Sequence, residues 1–153
     1  FAEVNKELKS KLILAGDGPE RYSVEKLVRD LGICDRVIFL GKVRDTAHVL
    51  EIADLFLLPS ETESFGLAAL EAMAMKMPVI SSNTGGIPEL NIHGKTGYMS
   101  KVGDVDDMAK NTIALLSNEE MFQQFKINAF EQAKKFDIEA ILPMYEKVYE
   151  SLL

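Results

Sequence analysis

Asp54-Leu55-Phe56-Leu57-Leu58-Pro59-Ser60-Glu61-Thr62-Glu63-Ser64-Phe65-Gly66-Leu67-Ala68-Ala69-Leu70-Glu71 is the stretch that decides the fold. Leu55 to Leu58 are apolar in succession, the pattern of a strand in a sheet covered on both faces. Pro59 ends that strand, a polar loop follows, and Gly66 precedes a helix rich in alanine and leucine. After the helix comes Pro78-Val79-Ile80-Ser81, a second short apolar strand. Strand, helix and strand in this order form a βαβ unit, which needs parallel pairing.

Working outward, the same alternation repeats. Lys11 to Ala15 predicts a buried strand stopped by Gly16-Asp17-Gly18-Pro19, with Pro19 at the first position of the next helix. Val24, Leu27, Val28 and Leu31 give that helix an apolar face, and Gly32 ends it. Arg36 to Leu40 predicts another strand, closed by Gly41; Asp45 then caps a short helix running to Ile52. A Gly85-Gly86 loop, a short helix from Pro88 to Ile92 and a small strand from Thr96 to Met99 come later. Asp104, Asn118 and Asp137 open three further helices. The expected architecture is α/β, a doubly wound, Rossmann-like parallel sheet with a helical C-terminal segment. Such sheets bind ligands beyond the carboxyl ends of their strands. The loops of interest are thus Gly16 to Pro19, Gly41 to Arg44, Ser60 to Phe65 and Ser82 to Pro88.

The chain has 153 residues, enough for one domain with a real core. No apolar run approaches the roughly 18 residues that a membrane span requires. A formal charge of −7 opposes nonspecific nucleic-acid binding, which needs a cationic surface. Cys34 is alone, so an internal disulfide is excluded and a reducing cytoplasm is the natural setting. His48 and His93 lack second ligands at metal-site spacing, so no metal is expected. Phe1-Ala2-Glu3-Val4-Asn5-Lys6 reads as a sequence entered partway through a helix, and the chain is expected to be a fragment.

The chemistry concentrates at Glu63 and Glu71. Glu71 falls among Leu67, Leu70, Met73 and Ala74, which are expected to face the core, so its carboxylate needs a partner. Eight helical steps would separate the two acids by roughly 12 Å, suiting two grips on one long polar ligand. Between them, the N–H groups of Phe65, Gly66 and Leu67 open a helix and favour an anion. Gly66 offers no Cβ to obstruct a phosphate. The Gly16 and Gly85-Gly86 loops fit either ligand approach or simple turns.

Together these segments resemble the retaining GT-B glycosyltransferases of family four (group 1). The resemblance runs through Leu14-Ala15-Gly16-Asp17-Gly18-Pro19, Val37-Ile38-Phe39-Leu40-Gly41, the Glu63-to-Glu71 stretch, Gly85-Gly86-Ile87-Pro88-Glu89 and Gly94-Lys95-Thr96-Gly97-Tyr98. It covers essentially the whole chain and matches the C-terminal half of the GT-B fold, so residues 1–153 are expected to be a single nucleotide-sugar-binding domain. The resemblance implies that Glu71 binds the ribose hydroxyls and that Glu63 faces the donor sugar as the catalytic-site carboxylate. It implies that Ser64, Phe65, Gly66 and Leu67 hold the sugar and diphosphate, that Gly16 lines the cleft, and that Ile38 meets the base through its backbone. No metal or other cofactor is implied; the nucleotide-sugar, expected to be UDP-linked, is a substrate.

In the family, an Arg and a Lys for the diphosphate follow the domain's first strand. That strand and loop would precede Phe1, and the acceptor site belongs to an N-terminal domain, so the chain alone is expected not to turn over. Leu31-Gly32-Ile33-Cys34-Asp35-Arg36-Val37, Ile80-Ser81-Ser82-Asn83 and Pro88-Glu89-Leu90-Asn91-Ile92 resemble a narrower branch. Its members transfer N-acetylglucosamine from UDP to L-malate in bacillithiol biosynthesis. An epimerase or phosphorylase of similar two-domain architecture, and a receiver-like interaction module, are the alternatives. Asp54 starts its strand instead of ending it, which disfavours a receiver.

Overall fold

A computed structural model describes residues 1–152. The strands are β1 (Leu12–Ala15), β2 (Val37–Gly41), β3 (Phe56–Leu58), β4 (Val79–Ser82) and β5 (Gly97–Ser100), and every pairing between them is parallel. The helices are α1 (Ala2–Glu7), α2 (Arg21–Asp30), α3 (Ala47–Glu51), α4 (Leu67–Ala74), α5 (Ile87–Leu90), α6 (Val105–Leu116), α7 (Glu119–Ala133) and α8 (Ile138–Glu150). No helix among the described residues is long and apolar enough to cross a membrane.

The core is built on β4. Its consecutive residues Val79 and Ile80 point to opposite faces, as strand geometry requires, and each anchors a separate cluster. Val79 packs with Ala69, Met73, Leu90, Ala129 and Ala133, and Ile80 with Leu115, Phe122 and Phe125. β3 and the residue before it contribute to both sides, Phe56 and Leu58 to the first and Leu55 and Leu57 to the second. Helices therefore cover both faces of the β3–β4–β5 sheet, the parallel, Rossmann-like arrangement expected.

Asn91 closes this half. Its fully buried amide donates to the carbonyls of Val79 (3.1 Å) and Tyr98 (3.3 Å) and to Ser81 Oγ (2.8 Å), and its Oδ1 accepts from Thr96 Oγ1 (2.9 Å). A buried amide satisfied on both ends rigidifies the strands it joins.

The sheet is not continuous. β1 pairs with β2 and β3 with β4, but no ladder links β1 to β3, so each keeps one edge unpaired. With only one neighbour, β1 is half-buried instead of buried, and Ile38, Leu40, Val24, Leu27 and Leu31 stay exposed. Of the apolar face expected on α2, only Val28 is buried. Pro19 lies two residues before the start of α2, whose N-cap is Glu20.

The three later helix starts match their capping residues. Asp104 accepts from Asp107 N (3.0 Å), Asn118 from Met121 N (3.0 Å) and Asp137 from Glu139 N (2.9 Å).

Candidate functional site at the strand ends

Parallel pairing brings the carboxyl ends of neighbouring strands to a common rim. On the β1–β2 side, Gly16 N donates to Gly41 O at 2.8 Å, tying the two loops together. Arg21 reaches this corner, its Nη1 3.4 Å from where a Cβ on Gly41 would stand. Its guanidinium lies 6.0 Å from the Phe39 ring centroid, and Nε donates to Glu25 at 2.8 Å. That hydrogen bond, with the charges of Glu25 and Asp17, raises the Arg21 pKa.

Ile38 is not at this rim. It is the second residue of β2, in register with Ile13, and Gly41 ends the strand three residues later, roughly 10 Å away. The strand forms where the apolar run predicts, and its carboxyl end is Gly41. The backbone at the rim belongs to Gly41 and Lys42.

On the other side, β3 leads through Ser60–Phe65 into α4. Gly66 is the N-cap at φ +96°, a conformation that other residues adopt only with strain. A Cβ there would lie 3.7 Å from Leu58, Ile87 and Leu90, in ordinary contact with the interior. Glycine is needed for its backbone angle, not to make room for a phosphate. Leu70 N is the first amide to bond into the helix, to Gly66 O at 3.0 Å. The amides of Leu67 and Ala68, both exposed residues, precede that bond and remain available, whereas Ala69 is fully buried. Phe65 anchors the turn edge-on against Phe136, with ring centroids 5.3 Å apart.

Glu71 departs most from expectation: it is exposed, not buried. α4 buries Ala69, Ala72 and Met73, with Leu70 partly covered. Leu67, Glu71 and Ala74, spaced by four and three residues, share the outward face, where Leu67 is 66% exposed. Seven of the eight residues in LAALEAMA are apolar, so hydrophobicity alone does not reveal which face turns inward. An exposed carboxylate needs no buried partner and remains open to a ligand.

It does have one contact, from Thr46 Oγ1 to Glu71 Oε2 at 3.0 Å, which joins the β2–α3 loop to α4. Both groups are exposed, so the bond is worth about 1 kcal/mol or less. Thr46→Val should therefore lower nucleotide affinity only about fivefold at most. Calorimetry on the variant checks this, and a larger loss would mean that Thr46 itself touches the ligand.

Glu63 is half-buried in the loop, and its carboxylate takes no hydrogen bond among the described residues. The helix begins only at Leu67, so Glu71 lies about 6 Å along the axis from its start, while Glu63 sits outside it. The roughly 12 Å helical separation does not apply. What remains is an acid before the free helix amides and an acid after them. A groove of ≈ 290 Å³ runs beside Glu71, lined by Leu67, Leu70, Ala74, Ala133, Phe136 and Asp137. A larger, open hollow of ≈ 450 Å³ follows β5 along Lys101–Asp106. Three aspartates at that helix start (Asp104, Asp106 and Asp107) make it a poor anion site.

Both histidines have local roles. His48 Nδ1 lies 3.0 Å from Asp45 Oδ2, and His93 Nδ1 accepts from Met99 N at 3.0 Å. Thr46 and Arg21 were not singled out from the sequence. A lone threonine or arginine carries no spacing signal, and each becomes visible only through its contact across the fold.

The family profile of the group 1 glycosyl transferases matches residues 1–132. N-acetyl-alpha-D-glucosaminyl L-malate synthase of Bacillus anthracis is 46% identical over 154 aligned residues, covering 100% of this chain and 40% of that protein. 2-Deoxystreptamine N-acetyl-D-glucosaminyltransferase of Niallia circulans is 31% identical over 99% of this chain and 41% of its own length. The chain thus spans about 40% of these relatives. Among solved structures, Anabaena HepE in complex with UDP superposes with a TM-score of 0.89 at 27% identity, covering 98% of this chain and 43% of HepE. Profile and relatives agree along nearly the whole sequence, and the chain belongs to the group 1 glycosyl transferase family.

Proposed function

We propose that the chain is the donor-binding, C-terminal half of a retaining, metal-independent GT-B glycosyltransferase of family four. The observation that carries this reading is the order of groups on one rim: Glu63, the free amides at the start of α4, then exposed Glu71. Such an order suits a sugar, a diphosphate and a ribose laid end to end. Glu71 accepts from the ribose hydroxyls, and the Gly41–Lys42 backbone with Gly16 borders the base. The amides from Phe65 to Leu67 meet the diphosphate, where donors in place before reaction stabilise the leaving charge. Glu63 faces the sugar.

The N-acetylglucosaminyl relatives and the UDP bound by HepE favour UDP-N-acetylglucosamine as donor. The relative at 46% identity favours L-malate as acceptor, held by an N-terminal domain. The split sheet fits the same reading. The two sheet orders, β2-β1 and β3-β4-β5, would together fill the doubly wound order 3-2-1-4-5-6 except for one strand between β1 and β3. A strand supplied from upstream of Phe1, followed by the diphosphate's Arg and Lys, completes it.

Titration with UDP and with UDP-N-acetylglucosamine tests the donor assignment. The sugar should tighten binding in the wild type, and Glu63→Ala should remove most of that gain while changing UDP affinity by no more than about twofold. Loss of UDP binding itself on Glu63→Ala would reverse the two glutamates' roles.

A further inference from the structure

The Gly85-Gly86 pair resembles a ligand-approach loop, but its free space is already taken by the chain itself. A Cβ on Gly85 would stand 1.6 Å from Glu63 O, and one on Gly86 2.4 Å from Ser64 O and 3.1 Å from Phe65 Cα. Real Cβ contacts do not approach so closely, and here the obstacles are backbone atoms with little freedom to yield. Two hydrogen bonds fasten the same pair of loops, from Thr84 Oγ1 to Glu61 O (3.1 Å) and from Gly86 N to Ser64 O (3.2 Å). Residues 84–86 thus grip Glu61 to Phe65, and Phe65 packs in addition against Phe136.

We propose that Thr84, Gly85 and Gly86 are positioning residues: they set the height and tilt of the β3–α4 loop and thereby aim the Glu63 carboxylate and the Phe65 and Gly66 amides. None of the three need touch the donor. The inference rests on the reading of that loop as the sugar and diphosphate end of the site. It extends that reading by placing donor-sugar recognition under the control of a second loop, at the end of β4. Small displacements of positioned groups are costly, since sites work within about 0.5 Å of their productive geometry.

Gly86→Ala is the informative variant. Gly86 has φ −84°, which alanine adopts freely, so the only disturbance is the collision with Ser64 and Phe65. Gly85, at φ +55°, would add backbone strain. The probes are UMP, which lacks the β-phosphate and the sugar, and UDP-N-acetylglucosamine, which spans the site. In Gly86→Ala, UDP-N-acetylglucosamine affinity should fall at least about tenfold and UMP affinity by clearly less. Backbone chemical shifts of residues 63–67 should move, and the amide of residue 86, which donates to Ser64 O, should exchange at least about tenfold faster, with exchange in β4 and β5 unchanged.

Thr84→Val should move the same readouts in the same direction by less. Unchanged shifts at residues 63–67 with unchanged exchange at residue 86 overturn the grip, whatever the ligands do. Equal losses of UMP and UDP-N-acetylglucosamine affinity overturn it too, because they indicate general damage. If wild type binds UDP-N-acetylglucosamine no more tightly than UMP while exchange still quickens, the grip on the loop stands as geometry. The donor reading then fails, and the proposed role in recognition fails with it.

Discussion

Glu71→Ala is expected to weaken UDP binding by about 30-fold. A carboxylate accepting from two ribose hydroxyls makes charge-assisted hydrogen bonds, each worth about 1.5–3 kcal/mol when shielded. Glu71 is exposed, and solvent competes for it, so about 2 kcal/mol for the pair is the better figure. The variant should fold normally, because alanine is a stronger helix former than glutamate and no buried contact is lost. Affinity and stability thus separate cleanly. 2′-Deoxy-UDP sharpens the test: it should bind wild type more weakly than UDP, yet bind Glu71→Ala about as well as UDP does, because the deleted partners are the same pair. Equal UDP affinity in wild type and Glu71→Ala would remove the ribose assignment.

The second large effect concerns the divided sheet. A chain extended upstream of Phe1 to include the proposed strand should melt about 10 °C higher than the 153-residue chain. The unpaired edges of β1 and β3 each offer three or four residues to a parallel neighbour. Even at about 0.5–1 kcal/mol net per new hydrogen bond, filling both edges contributes about 4 kcal/mol. At roughly 2–4 °C per kcal/mol for a domain of this size, the expected shift follows. Thermal denaturation monitored by circular dichroism measures it, and amide exchange on β1 and β3 should slow together. An unchanged melting temperature with unprotected β1 and β3 edges would place the upstream segment elsewhere.

The parts of this fold written in local chemistry were legible in the sequence. Asp104, Asn118 and Asp137 each cap the helix they were expected to cap, because an N-cap needs only one short polar side chain and the next few amides. The uninterrupted apolar run at Leu55–Leu58 marked a strand covered on both faces, and both clusters of the core draw on it. The four rim loops were found by the same logic, since strand ends and glycines lie next to one another in the chain.

What was hidden depends on phase and on distance. An almost uniformly apolar α4 carries no amphipathic signal, so its exposed face, and with it Glu71, was read as buried. Ile38 was expected near a strand end, and the fold puts it second in β2, three residues before Gly41. The glycines at 85 and 86 announced a need for space but not for what. Only the fold shows Glu63, Ser64 and Phe65 filling it. Thr46 became relevant through a contact 25 residues away along the chain.

Amide chemical-shift mapping of the 153-residue chain with UDP and then UDP-N-acetylglucosamine tests the two-ended site most directly, since it registers weak binding without turnover. UDP should shift Gly16, Gly41, Lys42, Phe65 to Leu67 and Glu71, and the sugar should add Glu63 and Ser64. Shifts confined to the Lys101–Asp106 hollow, or none at Glu71 and the start of α4 at saturating UDP, would contradict it.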